Sequence, residues 1–152
     1  MTSDSLARSY LHKARVRRQL IATLAGAGEH SDVVRLAQEC VELALKASLR
    51  HMGIDPPKWH DVGPVLQENA SLVPASLRPG LPTLAALSKR LRKERELSFY
   101  GDTDFVPTEE YREEDSMLAM SEADTALAFA TEIVEGAAGG GSDAVGATGS
   151  EE

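Results

Sequence analysis

Between about Ser31 and Met52 apolar residues recur at helical spacing on two neighbouring stripes: Val33, Ala37, Cys40, Ala44 and Ser48, and beside them Val34, Val41, Leu45 and Leu49. A face that broad needs partners on more than one side, which places this helix at the centre of a bundle. Gly53 suits the left-handed exit of such a helix, and Pro56-Pro57 forbids its continuation. Most other stretches must then supply helices to cover it.

The rest of the chain offers them. From Leu6 to Ala27, Leu6, Tyr10, Ala14, Ile21 and Leu24, joined by Leu20, outline one helical face; Ser3 or Asp4 can cap its start, and Gly26 and Gly28 suit its end. The segment Lys58 to Pro64 opens a shorter helix that runs to about Asn69, with Val62, Val65 and Leu66 available to pack inward and Pro64 limiting where it begins. After a linker with Pro74, Pro79 and Pro82, the residues Leu84, Leu87, Leu91 and Leu97 mark a third long helix, ending near Tyr100-Gly101. Asp102 to Thr108 reads as an ordered loop. A last helix over 113–135 presents Met117, Met120, Ala123, Leu127, Ala130 and Val134.

No window alternates with the two-residue period of a half-buried strand. The expectation is an all-α, up-and-down bundle of four to five helices over residues 1–136. Residues 137–152, rich in Gly, Ala and Ser, hold too little apolar surface to offset the entropy of ordering and are read as a disordered acidic tail. The N-terminus lacks a signal-peptide pattern, and no run of roughly eighteen apolar residues occurs, so a cytoplasmic protein with no membrane partner is expected. The lone cysteine, Cys40, sits in an apolar stripe and reads as a small buried hydrophobe.

The formal net charge of −8 conceals a strong asymmetry: residues 1–100 hold 15 Lys and Arg against 10 Asp and Glu, while residues 101–152 hold 1 against 14. Arg15, Arg17 and Arg18 form one basic cluster and Lys89, Arg90, Arg92, Lys93 and Arg95 another. Solvated helix faces account for such clusters as readily as an anion-binding or RNA-facing surface does.

Two constellations carry chemistry. At the first, His60 and Asp61 lie at a helix entrance beside Trp59 and Gly63, where unpaired amides can hold an anion; alternatively Asp61 caps the helix while Trp59 and His60 close the bundle's end. The second is Arg95-Glu96-Leu97-Ser98-Phe99-Tyr100-Gly101-Asp102. There Arg95 can grip a phosphate with its planar fork, with Arg92 and Lys93 beside it, and Tyr100 can stack on a base or donate its hydroxyl. Asp102 supplies a carboxylate at the same helix end. As proton handlers Arg95 and Tyr100 are poorly matched to neutral pH, since arginine stays protonated and tyrosine ordinarily titrates near 10. His12, His30 and His51 share no metal-ligand spacing, Asp102, Asp104, Glu109 and Glu110 fit no cation-loop signature, and there is no Gly-rich phosphate loop; neither metal nor cofactor is expected.

The run Ala37 to Ala47, followed by Gly53, Pro57 and His60-Asp61-Val62-Gly63, resembles the central signature of prokaryotic HEPN domains. Arg95 to Asp102, then Pro107 and Tyr111, extend the resemblance to about residues 5–136. It implies a helical bundle that usually forms homodimers and is often encoded beside a small nucleotidyltransferase, with which it can act as a toxin–antitoxin pair. Ribonuclease members of that family carry an arginine followed, after four to six residues, by a histidine, in a cleft shared by two protomers. Here Arg95 matches the arginine, Tyr100 stands where the histidine would, and no histidine follows His60. The resemblance therefore implies a dimeric module that binds RNA, a nucleotide or a nucleotidyltransferase without strong catalysis. The alternatives are a metal-independent endoribonuclease with a degenerate Arg-x4-Tyr motif, using Arg95 with Tyr100 or His60, and a purely structural oligomerisation module.

Overall fold

A computed structural model describes residues 3–58 and 61–136, and among them every regular element is helical. Four long helices form the body: α1 (Ser3–Gly26), α2 (His30–His51), α4 (Leu81–Phe99) and α6 (Glu113–Thr131). Two short ones, α3 (Val62–Glu68) and α5 (Pro107–Glu110), fill the connections, with 3-10 turns at Ala70–Leu72 and Arg78–Gly80 and a wider π-type turn over Glu132–Gly136. The all-α bundle read from the periodicity is the fold. Trp59, His60 and the stretch 137–152, read above as a tail, lie outside the described residues.

The central helix is α2, flanked by α1, α4 and α6. Twelve of its residues are buried, including Val33, Val34, Val41, Leu45 and Leu49. On α6 the core-facing stripe is built from Ala119, Ala123, Ala126 and Ala130, side chains small enough to bring that helix close to α2. Gly28 and Gly53 end α1 and α2 at positive φ, 76° and 81°. At both ends the next amide reaches back to close the helix, Glu29 to the Leu24 carbonyl at 3.0 Å and Ile54 to that of Leu49 at 2.9 Å.

Three expectations about the core need correction. On α1 the buried stripe is Ala7, Leu11, Ala14 and Ile21, one position away from the Leu6 and Tyr10 face, and Leu20 points outward at 49% exposure. Met117 on α6 is 61% exposed, and Leu97 on α4 is also exposed, leaving Leu84, Leu87 and Leu91 as that helix's core contribution. Within the loop expected at 102–108, Pro107 starts the single turn of α5.

The charge asymmetry has a structural counterpart. Arg18 Nε donates to Asp124 Oδ1 at 2.6 Å, and Arg15 donates to Glu135 at 2.7 Å and to Thr131 at 3.2 Å. Arg90 Nε donates to Glu122 at 2.7 Å. Three acids of the C-terminal third, Glu122, Asp124 and Glu135, thus meet basic residues of α1 and α4, and the first two tie α6 to those helices. Arg15, Arg18 and Arg90 are spent inside the protein.

A basic, aromatic-lined groove as the candidate functional site

The C-terminal end of α4 projects beside the N-terminal part of α2. Successive turns place Arg92, Lys93, Arg95, Glu96, Phe99 and Tyr100 around an open groove of about 460 Å³, and α2 contributes Arg35. Four cations face a single carboxylate. Gly101 makes the abrupt exit from α4 possible: its φ is +70°, and a Cβ there would strike the Phe105 carbonyl and Pro107. The chain then doubles back through reciprocal backbone hydrogen bonds between Asp102 and Phe105, 3.0 and 2.9 Å long. Beneath this turn the Tyr111 hydroxyl donates to Glu94, and its ring meets Phe105 edge-on at 5.7 Å between centroids.

The groove's cations are held in different ways. The Arg35 guanidinium lies over the Phe99 ring, 4.0 Å from its centroid, a cation–π contact that fixes a planar donor group at the rim. Phe99 in turn meets Tyr100 edge-on at 4.6 Å, and Tyr100 is 79% exposed, so its ring is open to a stacking partner. Arg95 is about half exposed (49%), and its Nη1 is 3.8 Å from Glu42 Oε2, an ion pair too long to be a hydrogen bond. Burial alone would raise the Glu42 carboxyl, but hydrogen bonds from Lys46 at 2.9 Å and Gln38 at 2.8 Å, with the charges of Lys46 and Arg95, hold it below the ordinary range. Glu42 therefore stays ionised behind Arg95 and keeps that guanidinium at the groove wall.

The residues singled out in the sequence separate into two groups. Arg92, Lys93, Arg95 and Tyr100 come together in the groove. Asp61 is at the start of α3, where its Oδ1 accepts from the Gly63 amide at 3.2 Å and from the Ser88 hydroxyl at 2.7 Å, tying α3 to α4. That carboxylate occupies the helix entrance considered above for an anion. Asp102 sits in the turn beyond the groove, its side chain accepting from the Thr103 amide at 2.7 Å. His60 lies outside the described residues. Arg35 was not anticipated, although Arg35, Glu39, Glu42 and Lys46 form a charged row at helical spacing beside the apolar stripes of α2.

Chemically the groove offers planar donors for phosphate oxygens next to aromatic faces for a base. Among the described residues no three His, Cys, Asp or Glu side chains converge as metal ligands. No helix among them is long and apolar enough to cross a membrane.

The molecule is a small all-α helical bundle with a basic, aromatic-lined groove at one end. The chain belongs to the HEPN-domain family, whose model matches residues 7–138. No curated protein and no solved structure matches it significantly.

Proposed function

We propose that this HEPN-domain protein is a binding module for RNA or nucleotides, dimeric in its working form, in which Arg95 is the principal phosphate contact and Tyr100 the stacking surface. The observation that carries the reading is the convergence of Arg35, Arg92, Lys93 and Arg95 on one groove with Phe99 and Tyr100. Family membership supports the same ligand class. Exposed apolar residues also lie outside the groove's lining: Leu97 on α4, Val106 in the connection to α6, and Met117 and Leu118 at the start of α6. A second protomer or a nucleotidyltransferase partner would cover these and leave Phe99 and Tyr100 to the ligand. Without a histidine at the position of Tyr100, the module works by binding and positioning.

The test is a titration of short single-stranded RNA, at low and physiological salt, into the wild type, Arg95→Lys and Arg8→Lys. Lysine keeps the charge and loses the two-pronged geometry, so Arg95→Lys is expected to weaken binding by about tenfold. Arg8, which pairs with Asp4 near the far end of the bundle, is the matched control and is expected to change nothing. Equal losses at both positions would leave only diffuse attraction and sink the site.

A further inference from the structure

Arg95 stands between two grooves. On its other side a shallower one, about 240 Å³, is walled by Lys13 and Arg17 of α1 and by Glu39, Glu42 and Lys46 of α2. Four cations, counting Arg95, face two carboxylates there. The carboxylates hold these cations unevenly. Glu42 is bonded to Lys46 at 2.9 Å, whereas Glu39 is 3.9 Å from both Arg17 and Arg35 and Glu42 is 3.8 Å from Arg95, contacts beyond hydrogen-bonding range that leave those guanidiniums with donors to spare. Arg17 donates from Nη1 to the Lys13 backbone carbonyl at 3.1 Å, which holds the guanidinium along α1 on the side that carries Lys13, and its buried Nε has no hydrogen-bond partner in the protein. Lys13 is exposed.

The two grooves differ in what they can read. Aromatic rings line only the first; the second has charge and one leucine, Leu43. The first therefore suits a base with its phosphate, and the second suits a backbone phosphate alone. Because they meet at Arg95, a single flexible strand can occupy both, and once the first is engaged the second contact is made within the complex at high effective concentration.

We infer that Lys13 and Arg17 form a second subsite, which takes a backbone phosphate of the same single-stranded nucleic acid whose base stacks at Phe99 and Tyr100, with Arg95 shared between the two. This inference rests on the nucleic-acid reading of the first groove. It makes the preferred ligand a strand of several nucleotides, drawn across α1, and it makes affinity depend on length.

Fluorescence anisotropy with labelled uridylates of two and of ten nucleotides tests it, using the wild type, Lys13→Gln and the Lys13→Gln/Arg17→Gln double variant, with thermal melts to confirm folding. Lys13→Gln alters only an exposed side chain and keeps the test valid should the double variant fail to fold. The dinucleotide is expected to bind all three proteins within about twofold. The decamer is expected to bind the wild type more tightly and to lose about threefold with Lys13→Gln and about tenfold with the double variant. Losing that one phosphate contact should also make its salt slope shallower by about 0.7, the value per phosphate for a single strand. Equal affinity for both lengths, or a decamer indifferent to both substitutions, overturns the second subsite while leaving the first intact. If neither oligonucleotide binds the wild type, the first-groove reading falls and takes this inference with it.

Discussion

Gly63→Ala probes how α3 is locked against the helix that carries the groove. Gly63 is buried in the first turn of α3, and a Cβ built on it would lie 2.8 Å from the Ala85 Cα, 3.1 Å from the Ala85 Cβ and 3.3 Å from the Ala85 carbonyl oxygen. Carbon atoms rest at about 3.5–4.0 Å, so the two helices would have to separate by roughly 1 Å, and the obstacle is the backbone of α4 rather than a side chain that can swing away. Overpacking of this kind costs about 1–3 kcal/mol, from which alanine's advantage over glycine in a helix returns about 0.5–1. A net loss of about 1–2 kcal/mol corresponds to roughly 3–6 °C for a protein of this size. Gly26→Ala is the control: it lies at the end of α1 with nothing within 4 Å of its Cβ position, and its melting temperature should hold or rise slightly. Melting curves followed by circular dichroism, supported by urea titration, decide the matter. If Gly63→Ala melts within 1 °C of Gly26→Ala, the close approach of α3 and α4 is not what positions them.

Two further outcomes follow from the chemistry of single side chains. Cys40 is fully buried, with its Sγ–H directed at the Ala14 carbonyl at 3.3 Å; burial, opposed by the nearby Arg18 charge, pushes its thiol up to about 12. Because the folded value is raised, its contribution to stability is complete below the ordinary thiol range near 9 and is lost as pH climbs from there toward 12. The stability difference between wild type and Cys40→Ala should therefore shrink by roughly 2 kcal/mol between pH 8 and 10.5, and a difference unchanged by pH would contradict this. Cleavage of generic single-stranded RNA without metal is expected to be absent or very slow in the wild type, and Tyr100→His, which restores the family spacing from Arg95, is expected to raise it; brisk cleavage by the wild type on a gel would favour an endoribonuclease instead.

The helices were legible because α2 carries its apolar stripes so plainly and because Gly28, Gly53 and Gly101 stand where the chain must leave a helix. The exact face of α1 was not. Its core stripe is half alanine, which contributes little contrast, and the stripe passes through Arg18, whose charge is matched by Asp124 more than a hundred residues later. Leu20 and Met117 are apolar at helical spacing yet lie off the buried stripe, so periodicity alone drew them inward. For the groove, Arg92, Lys93, Arg95 and Tyr100 were visible as one local cluster. Arg35 was hidden because its partner Phe99 is 64 residues away and only the fold brings the guanidinium over that ring. The partners of Arg15, Arg18 and Arg90 escaped for the same reason: a run of positive charge in a sequence does not say whether acids elsewhere in the chain will meet it.

The groove itself is tested most directly by mapping a ligand onto the folded protein. Amide resonances of the ¹⁵N-labelled chain, followed during titration with a short uridylate, are expected to shift around Arg35 and from Arg92 through Gly101, while those around Met52 and from Leu72 to Leu77, at the opposite end of the bundle, stay in place. Shifts confined to that opposite end, or none at millimolar ligand, would contradict the assignment of the basic, aromatic-lined groove as the binding site.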